Sequence, residues 1–72
     1  MKENRLATED YITDLMKISD YDNDIKKYWL DLLPTILPIM SEDKLRELIS
    51  LITLGKDLIN FNKELLTEYG NN

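Results

Sequence analysis

The sequence contains no cysteine and no histidine. Without cysteine the chain can form neither disulfides nor thiolate metal ligands, and without histidine it lacks the commonest general base at neutral pH. The remaining carboxylates would need a pocket that raises the pKa of one of them before they could perform acid–base chemistry. We therefore expect no enzymatic activity, no metal site and no cofactor.

Long apolar runs and flexible linkers are also missing. No stretch of about 18 apolar residues is present, so no membrane span is expected, and the charged opening does not resemble a signal peptide. Two glycines and two prolines in 72 residues leave no linker. We expect a single helical domain over residues 1–72 with a frayed N-terminus at residues 1–5, and a core that is marginal at this size.

The apolar residues recur at helical spacing and never alternate with period two, which predicts an all-α fold. We expect a compact bundle of four to five short helices. Thr8, followed by two acidic residues, predicts a first helix over 8–18 with Tyr11 and Ile18 on its apolar stripe. Asp22 predicts the start of a second helix over 22–33, which Pro34 should end.

The second half of the chain contains the clearest helix start, at Ser41, where a hydroxyl is followed by two acids. Residues 34–40 are predicted to form tight turns with Ile36, Leu37, Ile39 and Met40 buried. Two helices, 42–54 and 57–68, are favoured over one continuous helix 42–68, because Gly55 can end a helix and Asp57 can begin one. Gly70 is expected to end the fold in the left-handed conformation.

Negative charge is concentrated in the first third of the chain. Residues 1–24 contain seven acidic and three basic residues, a net charge of −4, whereas residues 25–72 have a net charge of −1. Nucleic acids and anionic membranes bind cationic surfaces, so neither is an expected partner. An acidic surface indicates a basic protein partner, or serves only to keep the protein in solution.

The densest acidic segment is residues 19–24, which contain Asp20, Asp22 and Asp24. This D-x-D-x-D pattern matches the opening of a calcium-binding loop, with Asp31 at the twelfth position. Ile25 stands where such a loop needs glycine, so the pattern favours a helix-capping turn. The seven residues predicted to contact a partner are Glu9, Asp10, Asp14, Asp20, Tyr21, Asp22 and Asp24.

Two further hypotheses concern this region. Residues 9–33 have the order of a helix-turn-helix, but negative residues at the start of the second helix would repel phosphates, which predicts a helix-turn-helix-like shape that does not bind DNA. Among the aromatic residues, Tyr28 and Trp29 are predicted to lie in the core. Tyr21 is predicted to be exposed and to act as an apolar anchor for the partner.

The opening sequence MKENRLATEDYITDL, the 72-residue length and the acidic helical character together resemble the modulator-of-repression antirepressors of lactococcal temperate phages. The resemblance implies a protein of the host-cell cytoplasm that binds the N-terminal helix-turn-helix domain of the phage repressor. Such binding keeps the repressor off its operators and promotes the lytic state of the genetic switch. The alternative is a homo-oligomeric structural or regulatory bundle that associates through the apolar surface of residues 45–66.

Overall fold

The computed structural model describes residues 3–70, and the side chains of residues 5–70. Within this range the chain forms four α-helices and one short 3-10 helix, with no β-strand. The helices are α1 (Glu3–Ile18), α2 (Asn23–Ile36), α3 (Glu42–Thr53) and α4 (Ile59–Tyr69), and the 3-10 helix is Leu37–Ile39. The predicted all-α fold is confirmed, and α1 packs against both α2 and α3.

The first helix begins earlier than predicted. Thr8 is not its first residue, and the part of segment 1–5 that the structure describes is helical rather than frayed; residues 1 and 2 lie outside the described residues. The guanidinium of Arg5 donates to the carbonyl oxygens of Leu37, at 2.6 Å, and Met40, at 2.5 Å. Charged donors make the stronger hydrogen bonds, so this contact favours an extra helical turn at the N-terminus.

The second helix does not end at Pro34, as predicted, but continues through it to Ile36. A proline inside a helix costs about 3 kcal/mol, whereas each large aliphatic side chain that becomes buried contributes about 1.5–3 kcal/mol. Continuing the helix buries Ile36 and leads directly to the buried Leu37, while Pro34 faces solvent. The free energy gained by burying these side chains therefore outweighs the cost of a proline inside the helix. Met40 is buried as predicted, but Ile39 is exposed.

The prediction of two helices after residue 41 is confirmed by the way α3 ends. Gly55 has φ +66°, the left-handed conformation that only glycine adopts without strain. Its N–H donates to the carbonyl of Ile52 at 3.0 Å, and the N–H of Lys56 donates to the carbonyl of Leu51 at 2.9 Å. These two bonds form a Schellman motif, which satisfies the last carbonyls of the helix and turns the chain away.

Side-chain oxygens set the starts of α3 and α4. The Ser41 hydroxyl accepts the N–H of Lys44 at 3.2 Å, which confirms the predicted cap. The carboxylate of Asp57 accepts the N–H of Ile59 at 2.8 Å, and α4 starts two residues later than predicted. The prediction for Gly70 is wrong, because its φ is −96° and not left-handed.

The core is entirely apolar in the part of the chain that the structure describes. Its thirteen buried residues are Ile12, Met16, Trp29, Leu33, Ile36, Leu37, Met40, Leu45, Leu48, Ile52, Leu58, Phe61 and Leu65. Six of them come from the surface of residues 45–66 that was considered for self-association. Tyr11, Ile18 and Tyr28, which were expected on buried stripes, are instead exposed. Apolar side chains are therefore available outside the core, around α1 and the start of α2.

Candidate partner-binding surface

Five exposed carboxylates, two on α1 and three in the turn that follows it, form a group that we call the acidic strip. Its members are Asp10, Asp14, Asp20, Asp22 and Asp24. The first two lie one turn apart on the outer face of α1, and the other three follow in the acidic turn of residues 19–24. Among the side chains of residues 5–70, those of the strip form no ion pair. Their charge is therefore open to a partner.

Glu9, which was predicted to belong to this surface, lies on a different face of α1. Its side chain is only 17% exposed and its carboxylate pairs with the Arg5 guanidinium at 3.2 Å. The same guanidinium also pairs with Glu42 at 3.2 Å, at the start of α3. Glu9 thus belongs to a contact that holds helices together. The sequence did not separate it from Asp10 because Arg5 was assigned to a frayed end.

Tyr21 is half-buried, so the prediction that it is exposed is wrong. Its hydroxyl donates to the carbonyl oxygen of Leu51 at 3.3 Å and also to that of Lys56. Burial, and secondarily the nearby carboxylate of Asp57, raise the pKa of the Tyr21 hydroxyl above its ordinary value. Tyr21 therefore attaches the acidic turn to the loop between α3 and α4.

The acidic turn is also held at its junction with α1. The Ser19 hydroxyl donates to the carbonyl of Met16 at 2.7 Å, and the ammonium of Lys26 donates to the carbonyl of Lys17 at 3.1 Å. A cation at the carbonyl end of a helix is favourable because it offsets the helix dipole. Asp22 occupies the N-cap position of α2 as predicted, although its side chain makes no capping bond. The carboxylate of Asp22 therefore stays at the surface.

Two hollows lie on either side of Tyr21, and both also reach Gly55. The first, of about 460 Å³, includes the exposed side chains of Ile18 and Leu54. The second, of about 600 Å³, lies between the start of α2 and the start of α4 and includes the exposed side chains of Tyr28 and Ile59. Sequence reasoning missed both, because each is built from segments about 30 residues apart.

The calcium-loop pattern is not reproduced as a metal site. Among the side chains of residues 5–70, no three acidic groups come together in a cluster that could hold a metal ion. None of the helices that the structure describes is both long and apolar enough to cross a membrane.

Comparisons with protein-family models, with curated proteins and with solved structures found no match for this chain. The candidate site therefore rests on its own geometry and charge.

Proposed function

We propose that this protein is a phage antirepressor that binds the DNA-binding helix-turn-helix domain of a phage repressor and prevents operator binding, which promotes the lytic state. The observation that carries the proposal is the acidic strip, five exposed carboxylates that form no ion pair with the other side chains of residues 5–70. The resemblance of the opening sequence to modulator-of-repression antirepressors supports the same function. The protein would act in the cytoplasm of the host cell, as a binding protein rather than an enzyme.

The physical basis of the proposal is competition for a cationic surface. A DNA-binding domain neutralises phosphates with lysine and arginine, and much of its affinity comes from that contact. Carboxylates arranged along a helix and the following turn can attract the same side chains and also steer the encounter. A protein seated there would exclude the DNA both by its charge and by its volume.

A charge-reversal experiment tests this function. The double variant Asp10→Lys/Asp14→Lys should need at least about tenfold more protein to release the repressor from a labelled operator in a gel-shift titration, a loss of about 1.4 kcal/mol. Both positions are exposed on α1, so the fold should tolerate the change. The single variants Asp10→Lys and Asp14→Lys are compared with Asp31→Lys, which makes the same charge change at an exposed acid of α2 outside the strip.

Two results would contradict the proposal. One is release of the operator by the double variant at the same concentration as by the unchanged protein. The other is a loss in Asp31→Lys equal to the loss in Asp10→Lys or Asp14→Lys, since that would indicate a response to net charge rather than to the strip. Binding should also weaken as salt concentration rises, because exposed charges are screened.

The alternative function, a homo-oligomeric bundle, depends on a broad free apolar surface over residues 45–66. Most of the large apolar side chains of this segment fill the chain's own core, and those that remain most exposed are Leu54, Ile59 and Leu66. Leu54 follows α3, and Ile59 and Leu66 lie two turns apart on α4 with polar residues between them, so the three do not form one continuous stripe. We therefore expect a monomer in sedimentation experiments, whereas a tight dimer through residues 51–66 would favour the alternative.

A further inference from the structure

The larger hollow beside Tyr21 is an apolar groove with acidic edges. Its apolar lining comes from Ile25, Tyr28, Trp29, Leu58 and Ile59. Ile59 is 59% exposed and Tyr28 is 45% exposed, so the rim is covered by no other part of the described chain. Exposed apolar surface of this kind, surrounded by polar residues, marks an interaction site more often than a surface of isolated apolar side chains does.

The charges at the groove have one sign. Asp24 and Asp57 are both among its lining residues and both are exposed, and none of the lysines and arginines in the described part of the chain lines it. Asp24 is also the last member of the acidic strip, so the groove continues the strip toward α4. An occupant therefore needs an apolar surface at its centre and positive charge at its flanks.

The walls of the groove are held in place before any partner arrives. Trp29, which is 3% exposed, packs edge-on against Tyr28 with the ring centroids 5.6 Å apart, and against Phe61 at 6.2 Å. The Tyr28 hydroxyl donates to the side-chain oxygen of Asn62 in α4 at 3.0 Å. Tyr21 fixes the remaining side through its bonds to the α3–α4 loop. A groove of fixed shape loses less entropy when it binds.

We propose that this groove receives an apolar side chain from a basic amphipathic helix of the partner, while lysine or arginine side chains of the same helix contact Asp24 and Asp57. This inference rests on the proposed function and adds to it the apolar centre of the interface. A helix laid in a groove is a common mode of recognition, with apolar anchors three or four residues apart and charged residues beside them. The charge of the strip would guide the encounter, and the groove would slow the release.

The first test uses a probe that does not depend on the repressor. A short helical peptide with leucines on one face and lysines elsewhere is titrated against the protein. Trp29 is the only tryptophan of the chain and lines the groove, so its fluorescence reports occupancy. The emission should change with this peptide. It should not change when the leucines are replaced by alanine, or the lysines by glutamate.

The second test locates the contact with one variant and its matched control. Ile59→Lys places a cation in the groove and should weaken peptide binding at least about tenfold. Leu66→Lys makes the same change at another exposed position of α4, outside the groove, and should leave binding within about twofold of the unchanged protein. Circular dichroism checks that both variants remain helical.

Gel-shift titration of both variants against the repressor then separates this inference from the proposed function. Loss of operator release with Ile59→Lys but not with Leu66→Lys supports both. Peptide binding in the groove without any release of the operator by the unchanged protein supports the groove and overturns the antirepressor function. The groove proposal is overturned if Ile59→Lys releases the operator as well as the unchanged protein does. It is also overturned if the peptide with alanines in place of leucines binds equally well. Either result leaves the acidic strip as the only contact.

Discussion

Removing one hydroxyl group at Tyr21 should measurably weaken the fold. Tyr21→Phe keeps the ring and deletes the donor to the carbonyls of Leu51 and Lys56. The Leu51 carbonyl keeps its bond from the Lys56 N–H, and the Lys56 carbonyl lies where water can replace the hydroxyl. The net loss is therefore that of one ordinary hydrogen bond, about 1 kcal/mol, which lowers the Tm of a domain of this size by about 4–8 °C.

The same substitution should change the response of stability to alkaline pH. Because the pKa of Tyr21 is raised in the folded protein, its hydroxyl ionises first in the unfolded chain. The stability it contributes is complete below its ordinary pKa of about 10 and is lost as the pH rises from there through the folded value. Tyr21→Phe should lose less stability than the unchanged protein as the pH is raised above about 10.

Thermal unfolding followed by circular dichroism, at neutral pH and across this alkaline range, measures both effects. Tyr28→Phe is the control, because its hydroxyl bonds to Asn62 at the surface and its loss should change stability by less than about 0.5 kcal/mol. Equal Tm values for the two variants at neutral pH would refute the assignment of Tyr21 as the link between the acidic turn and the α3–α4 loop. An unchanged alkaline slope in Tyr21→Phe would refute the account of its raised pKa.

Two other substitutions test how α3 begins and ends. Gly55→Ala should destabilise the fold by about 1–2 kcal/mol in urea unfolding, because the left-handed conformation strains any Cβ although space is open there, and Gly55→Asn should cost less. If Gly55→Ala were neutral, the left-handed end of α3 would be wrong. Ser41→Ala should cost about 1 kcal/mol by the same measurement through loss of the cap on Lys44, and Ser41→Asp should restore most of it; equal losses in both would exclude the side-chain cap.

The features that could be predicted from sequence depend on contacts between residues close together in the chain. The start of α3 follows from Ser41 and the N–H of Lys44, three residues away. Its end follows from Gly55 and carbonyls three to five residues earlier. The charge of the acidic strip could also be predicted from the sequence, because Asp10 and the other carboxylates of the strip needed only to remain exposed to solvent.

Two of the mispredicted features depend on contacts across 30 residues or more. The early start of α1 is accompanied by bonds from Arg5 to carbonyls 32 and 35 residues later. Tyr21 was expected to be free because its partners lie 30 and 35 residues away. The helix α2 was expected to end at Pro34 because the burial of Ile36, which favours a longer helix, was not taken into account. No pattern within a single helix contains this information.

The carbonyl oxygen of Leu51 accepts two bonds, one from the Lys56 N–H that closes α3 and one from the Tyr21 hydroxyl that holds the acidic turn. This oxygen, together with that of Lys56, thus connects the end of α3 to the segment that bears three of the strip's five carboxylates. A partner that displaces the acidic turn would therefore also disturb the hydrogen bonds of the last turn of α3, because both depend on the Leu51 oxygen. Conversely, a change that loosens the end of α3 would alter the charge pattern presented to a partner without touching any charged residue.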